Sequence, residues 1–202
     1  MCVLGNTAIV NALEAGNLII TPAPEPEPGH NKSPYDTCSV KLHLDTHLVV
    51  PKNDLQVSFD LSVPSKSLSH TLDSLYKRIR LPSSGYVLKP GAFVLAQTKE
   101  EVGFPFNKFI QLAGRIEGRS SFARTGLLIH FTAPTLHAGW QGKITLELLN
   151  HGPFNMILTP GLAICQLIVE TVEGIPTSSA PENSQFHRQW LPTGEPQTTE
   201  AT

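Results

Sequence analysis

Between Gly85 and Glu170 the chain meets a turn-forming cluster every few residues, and this spacing constrains its fold more than any other feature. The apolar-rich stretches Tyr86–Leu88, Phe93–Thr98, Phe109–Ile116, Gly126–Phe131, Lys143–Leu149 and Ile164–Glu170 are separated by Lys-Pro-Gly, Phe-Pro-Phe-Asn, Ala-Gly-Trp-Gln-Gly, Asn-His-Gly-Pro and Thr-Pro-Gly. Proline has no N–H to donate, and glycine supplies the turn conformations that other residues resist. Short strands fit between such breaks; long helices do not. The pattern predicts an all-β domain, a barrel or a jelly-roll-like pair of sheets. The 17 Pro and 15 Gly of the chain suit that reading.

The N-terminal part is mixed. Asn6 or Thr7 is placed to cap a short helix running to about Ala15, with Ile9, Val10 and Leu13 at helical spacing and Gly16 as its stop. Leu18–Ile20 reads as a short strand, and Thr21–Pro34 as a Pro-rich polar loop. Alternation predicts strands at Ser39–Leu44 and His47–Val50. Val57–Val63 reads as extended, and Leu68, Leu72, Leu75 and Ile79 share one face of a predicted helix over 68–79. The last residues are polar and rich in Ser, Thr and Pro, so the expected organisation is a domain over 1–173 and a tail over 174–202.

Charge excludes some functions. Fifteen Lys and Arg stand against 17 Asp and Glu, whereas coating nucleic acid or an acidic membrane requires an excess of cations. No apolar run is long enough to span a bilayer, and no signal-peptide pattern opens the chain. Cys2, Cys38 and Cys165 are scattered and form no Cys-x-x-Cys pair, which points to a reduced, cytoplasmic protein without a thiolate zinc site. His130, His137 and His151 lack metal-ligand spacing, so no metal-binding residue is expected.

The segment Glu117–Arg124, EGRSSFAR, concentrates two guanidinium groups and two hydroxyls between apolar stretches. That set suits a triphosphate, although a solvated polar turn has the same composition. The wider stretch Glu117–Glu170 (EGRSSFARTGLLIHFTAPTLHAGWQGKITLELLNHGPFNMILTPGLAICQLIVE) resembles the dCTP deaminase family of the dUTPase-like superfamily. LGNTAIVNALEAGNLIITP, CSVKLHL and LKPGAFVLAQTKEEVGFP resemble the family's N-terminal helix and early strands, and Ser184–Gln189 (SQFHRQ) its C-terminal motif. The resemblance implies a dUTPase-like β-clip or jelly-roll-like barrel, with a short N-terminal helix and an extended C-terminal tail that folds over the nucleotide. It implies a homotrimer with sites between subunits, dCTP as substrate, and dUTP and ammonia as products.

Residue by residue, the resemblance assigns the triphosphate to Arg119, Ser120, Ser121 and Arg124. It puts the backbone of Ala133 against the base, His137 beside the sugar, and Trp140 and Gln141 in the turn next to the pocket. Gln166 is expected to shape the site or a subunit contact, and Gln189 to reach the phosphates. Glu147, in KITLELL, matches the catalytic glutamate. Neither His-x-Glu nor Pro-Cys-x-x-Cys occurs, so no catalytic metal is expected; Mg²⁺ would arrive with the triphosphate. The chain also departs from the family pattern. Lys41 replaces an aspartate, Thr135 an arginine or bulky residue, Gln185 a lysine, and His137 the aspartate of Ile-Asp-Pro-Gly-Trp. Loss of that last carboxylate counts against a dUMP-forming activity. A bifunctional deaminase–dUTPase and a non-catalytic nucleotide-binding homologue are the alternatives.

Overall fold

The computed structural model describes residues 2–52, 57, 58, 60, 71–107, 109–174, 192 and 193. Helix α1 (Asn6–Glu14) is followed by β1 (Ile19–Thr21), β2 (Val40–Pro51), β3 (Tyr76–Arg80), β4 (Tyr86–Leu88), β5 (Phe93–Gly103) and β6 (Leu112–Gly118). A single helical turn, α2 (Ser120–Ala123), precedes β7 (Leu127–Leu128), β8 (Thr135–Leu136), β9 (Gln141–Asn150), β10 (Met156–Leu158) and β11 (Ala163–Thr171). The expected all-β class is what the chain adopts. Among the described residues one antiparallel sheet runs β7-β9-β5-β2-β11-β6-β8, with β1 added to β5 and β3 to β2, and β4 and β10 form a separate ribbon.

The alternation read from the sequence is the alternation that buries the core. Along β9 the even-numbered residues Ile144, Leu146 and Leu148 are buried, while Lys143, Thr145 and Glu147 lie on the other face. Leu42, Leu44, Leu48, Ala96, Ile164, Cys165 and Leu167 meet them in the interior. Burial raises the Cys165 thiol well above its ordinary value, so it stays protonated as a packing group.

Several expectations are corrected. Helix α1 is capped by Gly5, whose carbonyl accepts the Ile9 N–H at 2.9 Å, and not by a side chain of Asn6 or Thr7. The two expected strands, Ser39–Leu44 and His47–Val50, are one strand that begins at Val40 and has an irregularity in its pairing between Leu44 and Leu48. Residues 71–75 are helical, but Tyr76–Arg80 pair with His47–Pro51 as β3; partnership with β2 overrides the helical spacing of Leu75 and Ile79. Phe109 and Ile110 precede β6 and are 93% and 49% exposed, because β6 begins only where Leu112 faces Thr171 of β11. Of Gly126–Phe131, only Leu127 and Leu128 pair, against Asn150 and Leu149. Most of the 57–63 stretch read as extended, the start of the 68–79 helix and most of the 174–202 tail lie outside the described residues.

The turn after α2 is locked onto the end of β9. Gly126 has φ +90°, and its carbonyl accepts the His151 N–H at 2.9 Å. A Cβ on Gly152 would collide with the Thr125 carbonyl, which is backbone and cannot swing aside. Gly152→Ala should therefore lose about 1–3 kcal/mol of stability or more, read as a lower thermal midpoint. An unchanged midpoint would show that this crossing is loose.

Candidate active site

The parity of β9 decides where Glu147 goes. Leu146 and Leu148 are fully buried in the core, so the residue between them must take the opposite face. There Glu147 lies across from Leu95 of β5. Both line a cavity of about 420 Å³ with Ala133, Thr135, Leu136, His137, Trp140, Ile144 and Thr145, closed further by Leu72 and Pro192. The backbone N–H groups of Phe131 and of Glu147 itself lie on the side of the carboxylate's charged form. These groups and nearby His130 favour the charged form, but burial outweighs them and raises its pKa above the ordinary carboxylate value.

The turn at 137–140 is fixed by backbone bonds. Trp140 N–H donates to the His137 carbonyl at 3.1 Å. Phe104 clasps the turn from β5's end: Gly139 N–H donates to the Phe104 carbonyl, and Phe104 N–H to the Trp140 carbonyl. Gly139 takes φ +84°, a conformation that side chains oppose. His137 is exposed at the cavity, and Trp140 is largely buried beside it.

The residues expected at the phosphates form a second locus. Arg119 leads into α2; its Nη1 donates to the Ala163 carbonyl at 2.8 Å, and its guanidinium lies 4.9 Å from the Phe122 ring centroid. Ser120, Ser121 and Arg124 are exposed on the same turn. None of these four lines the Glu147 cavity of its own chain. Gln166 lies elsewhere again, on β11 between Lys41 of β2 and Glu117 of β6, where it accepts the Ser39 hydroxyl at 3.4 Å. Gln189 and Gln185 lie outside the described residues. Pro192, further along the same tail, does line the cavity, and Thr193 is buried.

The sequence reading missed Leu72, Leu95 and Thr145. Thr145 had a signal, since it stands two residues before Glu147 on the same face of the strand; Leu95 had none before the β5–β9 register was known. Among the described residues no three His, Cys, Asp or Glu side chains converge on a metal position. No helix of the described residues is long and apolar enough to cross a membrane.

Comparison with known proteins follows the same lines. A family model described as dCTP deaminase-like matches residues 3–172. A dCTP deaminase of Marinomonas sp. (strain MWYL1) is 36% identical over 168 residues, covering 82% of this chain and 81% of the relative. One from Pectobacterium atrosepticum is 36% identical over 164 residues, 80% of each chain. In structure, the chain is similar to the 2'-deoxycytidine 5'-triphosphate deaminase from Agrobacterium tumefaciens, with a TM-score of 0.59 and 17% identity. That alignment covers 84% of this chain but spans only 48% of the Agrobacterium chain, and it speaks to the fold. With a family match running through almost all of the described sheet and relatives of this identity along most of its length, the chain belongs to the dCTP deaminase-like family.

Proposed function

We propose that this protein hydrolyses dCTP to dUTP and ammonia, with Glu147 as the group that moves the protons. The observation that carries the reading is a half-buried carboxylate of raised pKa in the wall of a cavity large enough for a base and sugar. Deamination adds water to C4 of the cytosine ring. Glu147 takes the proton that the attacking water loses and passes it to N3. The C4–N4 bond then breaks: the proton of the new C4 hydroxyl passes through Glu147 to the amine, which leaves as ammonia, and C4 keeps the water's oxygen as a carbonyl. A carboxylate suited to both steps must release a proton readily yet bind one near neutrality, and burial moves Glu147 toward that balance.

In this reading Arg119, Ser120, Ser121 and Arg124 hold the triphosphate, with Gln189 reaching it from the tail. The Ala133 backbone faces the base and His137 the sugar, while Gln166 braces β11 behind the site. Mg²⁺ comes with the nucleotide as part of the substrate. Because the 119–124 turn does not line the cavity of its own chain, a complete site takes the turn from a neighbouring copy, which fits a homotrimer. The domain over 1–173 would carry the sheet, and the tail from 174 would act as its lid; Pro192 at the cavity supports that assignment. A cytoplasmic setting suits three free cysteines.

Glu147 is the one carboxylate among the described residues lining the cavity, and His137 occupies the position where dUMP formation would need another. Phosphoanhydride hydrolysis needs a water held in line with phosphorus, and neutral imidazole is a weak acceptor for that water. Incubation with dCTP and Mg²⁺, followed by nucleotide chromatography and pyrophosphate detection, should give dUTP and ammonia without pyrophosphate. Stoichiometric dUMP and pyrophosphate would establish the bifunctional alternative. Tight dCTP binding without turnover would establish a non-catalytic homologue.

A further inference from the structure

Glu14 stands where electrostatics alone would not put it. It is the last residue of α1, whose final carbonyls already carry partial negative charge, and no basic residue stands in that last turn. Val10, Leu13 and Glu14 are neighbours on one side of the helix, and all three line a groove of about 320 Å³. Its floor is apolar: Leu18 and Ile20 are 1% and 5% exposed. The Pro-rich loop adds Glu25 and Glu27, both exposed and each held between two prolines, whose fixed φ restricts the backbone that carries them. No Lys, Arg or His lines the groove. Among the described residues Glu14, Glu25 and Glu27 have no side-chain hydrogen bond or ion pair, whereas Asp36, Asp45, Glu100 and Glu170 each face a lysine, histidine or arginine.

A further polar group is left over in the same place. Tyr35 lines the groove and is 7% exposed, yet its hydroxyl makes no hydrogen bond among the described residues. Burial, and then the charge of Glu27, raise its pKa, so it stays a neutral phenol that both donates and accepts. The carboxylates line one groove without converging: among the described residues no three His, Cys, Asp or Glu side chains are placed to hold one metal ion. A compact cation such as Mg²⁺ needs converging oxygens and has no hydrocarbon to lay on leucine. Carboxylates spread over an apolar floor match a cation whose own charges are spaced by methylenes.

We propose that this groove binds a linear aliphatic polyamine. Its methylenes lie on Leu13, Leu18 and Ile20, its ammonium groups meet Glu14, Glu25 and Glu27, and one amine N–H donates to the Tyr35 hydroxyl oxygen. The groove shares no lining residue with the Glu147 cavity, and its charge repels an anionic nucleotide.

Calorimetric titration of the full-length protein with spermidine tests this. A single spermidine should bind per chain. Glu25→Gln combined with Glu27→Gln should weaken binding about 10-fold or more, since two charge-assisted partners are lost. Tyr35→Phe should weaken it about 3- to 10-fold, the usual weight of one hydrogen bond. Glu14→Gln should also weaken binding while its thermal midpoint holds or rises, because a negative charge leaves a helix C-terminus. Glu173→Gln removes the same charge from an exposed residue outside the groove and should leave the affinity unchanged. Putrescine, with two charges, should bind more weakly than spermidine. Absence of saturable spermidine binding would overturn the proposal, as would an equal loss in Glu173→Gln. Full displacement of spermidine by Mg²⁺ at matched ionic strength would make the groove a general cation trap and overturn it too.

Discussion

Glu147→Gln should abolish most of the deaminase activity while leaving the fold intact and firmer. The amide keeps the size and the polar character of the side chain but cannot take a proton from water. Removal of a general acid–base group costs roughly 10²–10⁴-fold in rate, and in the proposed mechanism both proton transfers pass through the same carboxylate. Affinity for dCTP, measured by calorimetry, should remain. Stability should move the other way. The folded state raises the Glu147 pKa, so between the unfolded and folded values the native chain binds more protons than the unfolded one. Stability contributed by the group therefore falls as pH rises through that window, and the ionised carboxylate is a burden at neutral pH. The variant should melt higher than the parent at pH 7–8, and the difference should vanish below the ordinary value of 4.5 for a free carboxyl. Near-normal turnover would remove Glu147 from the chemistry; a lowered melting point at pH 8 would show that its charge is compensated.

Arg124→Ala should weaken dCTP binding severely, because an exposed guanidinium on the 119–124 turn is lost. Mixed with Glu147→Gln, it should regain activity that neither variant has alone. The phosphate turn and the carboxylate belong to different loci of one chain. If each working site joins the turn of one subunit to the Glu147 of the next, trimers reassembled from equal amounts of both variants carry about one intact site in four. Co-expression or mixed refolding, followed by a deamination assay, reads this directly. Activity no higher than the sum of the two parents would put both loci in one subunit, or show that copies do not share sites.

Much of this site was legible before any coordinates. KITLELL announces its own faces, because a strand with leucines at 146 and 148 leaves Glu147 only one side. The Ala133–Trp140 stretch was readable as pocket wall from its resemblance to a known pattern, and it lines the cavity with Glu147. What the residues could not convey was partnership across the sheet. Leu95 enters the cavity through its register with β9, and nothing in the order of residues encodes register. The same blindness carried the predicted helix on through residues 76–79, whose apolar spacing suits either element until β2 supplies a partner. Phe109 was read as strand because aromatic residues favour pleated, half-buried surfaces, yet no neighbouring strand reaches it.

The regular alternation of β9 turns chemistry into a matter of odd and even numbers. Inserting or deleting one residue between Gln141 and Glu147 would exchange the faces of everything beyond it, bringing a leucine to the cavity and sending the carboxylate toward the core. A change of two keeps the face but displaces the acid by about 7 Å along the strand, roughly the length of a pyrimidine nucleoside's sugar. Length variation in this family is therefore expected to collect in the connections between strands and to spare this ten-residue rod. An engineer who lengthens or trims the protein should treat it as a ruler with no adjustable mark.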